Sequence, residues 1–139
     1  MIITKVTKDD INDLEKLASE CLPIYYKSDD IIYLLNNVKY RLYKAVYNDT
    51  IIGLCFLELF QDRIHIMSIC INPNYQKLGV GSNIIDFFKK KYKKPISLYV
   101  QSYNVSAVNF YVKNNFKIVK TIPDYYVVLE NKEAYYMVL

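Results

Sequence analysis

The chain has 139 residues, 53% of them hydrophobic and 23% charged, with a formal net charge of +4. That is enough apolar material for one core and too little charge for a disordered chain, so one folded domain over 1–139 is expected. Cys21, Cys55 and Cys70 stand among apolar neighbours with no CxxC or Cys/His cluster, which argues against a disulfide framework and a metal site and fits a reducing compartment.

The N-terminus, MIITKVTKDD, has no signal-peptide pattern, and no apolar run is long enough to span a membrane. A soluble, cytoplasmic protein is expected. Residues 2–7 suit a strand. Thr7 is placed to cap a helix over 8–21, where Ile11, Leu14, Leu17, Ala18 and Cys21 fall at helical spacing. Pro23 interrupts. Asp29 and Asp30 open a second helix carrying Ile31, Ile32, Leu34, Leu35 and Val38. Three strand-like runs follow, 41–47, 51–60 and 62–71, with turns at 48–50 and 61–62. Residues 80–92 place Val80, Ile84, Ile85, Phe87 and Phe88 largely on one side of a helix. A strand over 96–101, a helix over 104–113, and strands over 116–121 and 133–139 complete the chain. The order predicts an α/β (α+β) fold, a mixed sheet of about seven strands flanked by about four helices.

Lys89, Lys90, Lys91, Lys93 and Lys94 crowd one helix end. They read as a solvated terminus or as a patch that draws in an anion. Apart from Tyr92 they lack the interleaved aromatics of a single-strand platform, so nucleic acid is not an expected partner.

Gly79 and Gly81, two of the chain's 3 glycines, sit between an apolar strand and an apolar helix. Such a turn makes a backbone anion site: glycine lets the main chain approach a ligand, and the first-turn N–H groups point at it. Gln76, Lys77 and Ser82 stand ready to add side-chain contacts. The spacing is neither GxGxxG nor followed by GK[ST], so it does not support a Rossmann or P-loop reading. Alone, a plain strand–helix turn explains it equally.

The stretch INPNYQKLGVGSNII (71–85) resembles the acetyl-CoA-binding motif of the GNAT acetyltransferase superfamily, with Ile71, Pro73, Gln76, Gly79 and Gly81 at its positions. A second block, NVSAVNFYVKNNF (104–116), is similar to another family segment through Asn104, Ala107, Phe110, Tyr111, Lys113 and Phe116. Asn115 stands where the family usually has Gly, and Asn tolerates left-handed geometry. The resemblance implies the GNAT fold with its fourth and fifth strands splayed, and acetyl-CoA as co-substrate with no metal. It implies cofactor contacts at Ile69, Cys70, Ile71, Gln76, Lys77, Leu78, Gly79, Val80, Gly81, Ser82, Asn104 and Tyr111.

Within the family, ECLPIYY (20–26), RIHIMSI (63–69), ISLYVQSYN (96–104) and PDYYVVLENKEAYYMVL (123–139) resemble NatE-type N-terminal protein acetyltransferases; RimI-type enzymes share the tail. In the NatE type a strand-four tyrosine and a strand-five histidine take the amine proton through ordered water. Here the residue types are exchanged, His65 on the fourth strand and Tyr99 on the fifth. The resemblance implies a catalytic, hydrogen-bonded His65–Tyr99 pair, with Tyr111 protonating the leaving thiolate. Read without it, His65 is a lone histidine in an alternating strand, and Tyr99 and Tyr111 are two of 15 tyrosines. Glu58 is a rival base or an exposed strand residue.

Leu22, Pro23, Ile24 and Tyr26 are expected to line an apolar slot for the first substrate residue, and Tyr125 and Tyr126 to close over the peptide; the other reading is a helix break and core cover. The implied activity is transfer from acetyl-CoA to the free N-terminal amine of proteins or peptides that start with Met and an apolar second residue. The amine would attack the thioester directly. An α-amine, with a pKa of about 7.7–8.0, needs only modest help from a base. An auxiliary subunit or the ribosome is the partner such an enzyme would have. The alternatives are a GNAT acting on lysine or a small amine, and a weakly catalytic CoA-binding subunit.

Overall fold

Period-two alternation and short polar turns build the first half of the sheet. In the computed structural model, which describes residues 1–139, β1 (Ile2–Lys5), β2 (Tyr40–Tyr47), β3 (Thr50–Leu59) and β4 (Ile64–Ile71) form an antiparallel meander. Asn48 and Asp49 turn β2 into β3 at φ values of 48° and 61°, a conformation these short polar side chains tolerate. The second half crosses over. β5 (Ile96–Gln101) runs parallel to β4, and β7 (Ala134–Val138) lies between β5 and β6 (Lys117–Ile122), so the order is β1-β2-β3-β4-β5-β7-β6. A parallel neighbour needs a long crossover, which α3 (Val80–Tyr92) supplies; α1 (Ile11–Cys21), α2 (Ser28–Leu35) and α4 (Val105–Lys113) complete the helices.

The first helix starts differently from its expectation. A single 3-10 turn spans Lys8–Asp10 ahead of α1. Thr7 does not cap it by accepting a hydrogen bond. Its N–H and hydroxyl instead donate to Asp10 Oδ2 at 2.8 and 3.2 Å, and Lys44 Nζ on β2 donates to the same oxygen at 2.7 Å. A carboxylate with three donors tolerates burial, so the turn is tied to the sheet.

The sheet separates two apolar layers. On one face Val80, Ile84, Ile85 and Phe88 of α3 pack on Leu57, Ile64 and Leu98. On the other, Leu14 and Leu17 of α1 and Ile31 and Leu34 of α2 cover Leu42, Leu54 and Phe56. Cys55 and Cys70 are buried and Cys21 partly so; burial pushes all three thiols up, away from the thiolate. No helix is long and apolar enough to cross a membrane.

One irregularity makes the site. β4 and β5 pair only where Ile64, His65 and Ile66 meet Ile96, Ser97 and Leu98. The β3–β4 ladder shifts register so that Met67 has no partner, a bulge that re-aims its strand. From there β4 follows β3 while β5 follows β7 out to Gln101, and the sheet opens between them.

Candidate active site

The opening is a cleft of about 1000 Å³. Ile66, Met67, Ser68 and Ile69 of β4 form one wall, and Leu98, Tyr99, Val100 and Gln101 of β5 the other. The α1–α2 loop brings Leu22, Pro23, Ile24 and Tyr26, and the β6–β7 loop brings Tyr125 and Tyr126. From the opposite face of the sheet α4 adds Tyr111, and Asn104 lines the cleft while capping α4 by accepting the Ala107 N–H at 3.2 Å. All six residues expected to form the substrate slot therefore meet in one cleft, along with Tyr99, Tyr111, Asn104 and Ile69.

Several lining residues carried no signal in the sequence. Tyr25, Tyr33 and Tyr40 add further rings, and Val127, Val128 and Leu129 extend the β6–β7 wall. Asp30, at the start of α2, is the only charged side chain in the lining; it also accepts the Lys27 N–H at 3.0 Å. These residues come from elements far apart in the chain: the packing of α2 on β2 brings in Tyr33, Tyr40 and Asp30, and the β6–β7 loop brings in the three aliphatic residues.

The cleft is aromatic, with Asp30 as its one charged side chain. Tyr99 and Tyr125 stack at 4.4 Å between ring centroids, and Tyr125 meets Tyr126 edge-on at 4.9 Å. Burial, then the neighbouring Tyr125, pushes the Tyr126 phenol up to about 12. Burial likewise raises Tyr26, Tyr111 and Tyr125. These four phenols stay neutral, as hydrogen-bond donors and acceptors rather than phenolate bases.

His65 sits elsewhere than its resemblance implies. It shares a sheet face with Tyr99, and the two rings meet edge-on at 5.3 Å, but they make no hydrogen bond to each other. His65 Nδ1 is instead bonded to Ser97 Oγ at 2.7 Å, and His65 is not part of the cleft lining. The reason is register. Ser97 is directly opposite His65 in the short β4–β5 ladder, whereas Tyr99 lies two residues beyond it, where the strands part. Burial holds His65 below the ordinary imidazole value, opposed by Glu58 across β3 and assisted by Arg63. Glu58 pairs with Lys39 at 2.7 Å, so it is neither fully exposed nor a free base.

The glycine turn serves two purposes. Gly79 caps α3 at φ +84°, a left-handed conformation, with nothing within 4 Å of a would-be Cβ. Gly81 answers to packing: an added Cβ would lie 2.8 Å from the Phe110 ring of α4. Its absent side chain admits the neighbouring helix. The Gln76 amide donates to Ile71 O at 3.1 Å and anchors the turn. Lys77, at φ 63°, and Leu78 are exposed, Val80 is buried, and Ser82 is partly buried. No backbone carbonyl accepts from the N–H groups of Leu78 to Ser82, so five donors at the start of α3 are without a backbone partner. Cys70 points away from the cleft into the α1–α2 layer, and Ile71 packs into the opposite one. No group of three His, Cys, Asp or Glu side chains is placed to hold a metal.

This turn yields a prediction. Gly79→Ala should lose about 1–2 kcal/mol by urea denaturation, since strain alone opposes it. Gly79→Asn should lose less, because Asn enters the left-handed region more readily. Equal losses would place the cost outside backbone strain.

Comparison with known proteins agrees with the architecture. Residues 11–116 match the model of the Acetyltransferase (GNAT) family. The chain is 31% identical to "Probable N-acetyltransferase san" of Drosophila melanogaster, over 94% of this chain and 75% of that protein. It is 30% identical to N-alpha-acetyltransferase 50 of Danio rerio, over 94% of this chain and 82% of that protein. Among solved structures, Arabidopsis thaliana Naa50 in complex with the bisubstrate analogue CoA-Ac-MVNAL is 27% identical, covers 99% of this chain and 97% of its own, and superposes with a TM-score of 0.78. With its splayed β4 and β5, its seven-stranded mixed sheet and a family match across most of its length, the chain belongs to the GNAT family of acetyltransferases and is an acyltransferase.

Proposed function

We propose that the chain is an N-alpha-acetyltransferase, moving acetyl from acetyl-CoA to the free N-terminal amine of proteins or peptides. The observation that carries this reading is the cleft between β4 and β5, walled by apolar and tyrosine side chains with Asp30 as its single charge. An extended peptide with an uncharged first side chain fits such walls. A polyamine, with several ammonium groups, needs several carboxylates. The Arabidopsis thaliana relative, solved with an analogue whose peptide begins with Met, supports the same substrate class.

The residues present suit acetyl-CoA. The unpaired N–H groups of Leu78 to Ser82 and the left-handed Gly79 would hold the pyrophosphate at the start of α3. The β4 edge left free by β5 at Ile69 would pair with the pantetheine, and Asn104 and Tyr111, which line the same cleft, would face the thioester. When bound, acetyl-CoA supplies the acetyl group as an activated thioester. Leu22, Pro23, Ile24 and Tyr26 seat the first side chain, and Tyr125 and Tyr126 close over the backbone. His65, neutral because buried, takes the amine proton through water that Tyr99 orients. Tyr111, a neutral phenol, would donate a hydrogen bond to the leaving sulfur, whose proton comes in net from the amine by way of His65 and water.

Acetyl transfer to matched peptides tests this. Free N-termini beginning Met-Leu should turn over fastest, Ser- and Ala-starting ones more slowly, and blocked peptides with an internal lysine not at all. Faster turnover on lysine or spermidine would overturn the reading. So would acetyl-CoA binding without turnover, which is the outcome for a non-catalytic subunit; the position of His65 outside the lining is the one observation in favour of that.

A further inference from the structure

Ser97 is fully buried, at 0% exposure, on β5. Apart from the triply bonded Asp10, it is the only polar residue in the buried set. Its neighbours along the strand, Ile96 and Leu98, are aliphatic core residues. A hydroxyl in such a place is costly unless it is bonded, and its one side-chain partner is His65 Nδ1 at 2.7 Å. The register puts the two directly opposite, so no side-chain reach is needed. His65 Nε2 is left as the ring's single unbonded nitrogen.

We propose that Ser97 is a positioning residue for His65, holding its ring through Nδ1 so that Nε2 is the nitrogen left free to take a proton. This rests on the reading of His65 as the proton-handling group.

A serine hydroxyl suits both protonation states of the ring. In the neutral ring that can act as a base, Nδ1–H donates to Ser97 Oγ and Nε2 holds the lone pair. When Nε2 takes a proton, Nδ1–H goes on donating to the same oxygen. No heavy atom moves, and the serine itself adds no charge beside the ring. A carboxylate there would hold the imidazolium and spoil a neutral base. The other charged groups facing the ring are Glu58 on β3, already paired with Lys39, and Arg63 at the start of β4. Tyr99 faces it from β5 with a neutral ring edge.

The chain has a single histidine, so isotope-labelled histidine reports on His65 alone. The test is an NMR pH titration of the imidazole nitrogens in wild type, Ser97→Ala and Ser97→Thr, alongside steady-state kinetics with acetyl-CoA and the best peptide. In Ser97→Ala the nitrogen shifts should move toward a mixture of tautomers. The midpoint should fall, because the imidazolium loses its acceptor. The kcat should drop about tenfold, the rate equivalent of one hydrogen bond, with KM for acetyl-CoA unchanged. Ser97→Thr should restore the shifts and most of kcat. Unchanged imidazole signals in Ser97→Ala would overturn the proposal. Altered signals with unchanged kcat would overturn it too, by leaving a structural bond and removing the role of His65. Thermal melts of each variant separate misfolding from either result, and the NMR arm stands even where turnover is absent.

Discussion

His65→Ala should lower kcat by about 100-fold or more while changing KM for acetyl-CoA little, which is the usual reach of a positioned acid–base group. The physical basis is that His65 is the one imidazole near the cleft, that burial keeps it neutral, and that its Nε2 is unbonded. Its pH dependence has a definite sign. The folded pKa lies below the ordinary value of about 6.5, so the acid limb of kcat/KM falls below that pH. The same shift makes the folded state bind fewer protons than the unfolded one as pH drops through about 6.5. Its contribution to stability is therefore fully present above that pH and is lost as pH falls through the folded pKa. This slope should vanish in His65→Ala, and the acid limb should then follow protonation of the substrate amine, at about 7.7–8.0. A variant that keeps wild-type kcat would remove His65 from the mechanism and leave the neutral fraction of the substrate amine as the sole nucleophile source.

Phe88→Ala should cost about 3–5 kcal/mol, the largest effect on stability expected from a single truncation here. Phe88 is fully buried on α3 and meets Tyr43 edge-on at 5.1 Å and Phe87 at 5.6 Å. It anchors the helix that presents the glycine turn. Removing it leaves a cavity that the rigid sheet beneath cannot close. The expected readout is a lower urea midpoint with an unchanged slope. Against a total of about 5–15 kcal/mol for a domain of this kind, the variant would be marginally folded at best. Val112→Ala, on the exposed side of α4, is the matched control and should stay within about 0.5 kcal/mol of the parent. A comparable loss at Val112 would mean that α4 is covered by something in solution.

Much of this protein was written locally. The existence and order of the helices and strands followed from apolar spacing, proline breaks and turn residues, but α2 ends at Leu35 and leaves Val38, expected on it, in an exposed turn. The left-handed Asn48, Asp49, Gly79 and Asn115 fall where short polar or glycine residues mark turns. The motif around Gln76 to Gly81 and the block from Asn104 to Phe116 were legible because their chemistry depends on contiguous backbone: a turn, a helix start and a capping side chain. The α1–α2 and β6–β7 segments were recognisable for the same reason.

What only the tertiary structure decided is what depends on register and on elements meeting from afar. The partner of His65 is Ser97 rather than Tyr99 because the β4–β5 ladder is three pairs long and ends before Tyr99. Gly81 is small because Phe110, on another helix, needs the space. Tyr25, Tyr33, Tyr40 and Asp30 join the cleft because α2 packs against β2. A one-residue bulge at Met67 opens the sheet, and nothing in the alternation of β4 marks it. Sequence period reports which face a side chain takes along its own strand; which residue stands across from it is set by closing the whole sheet.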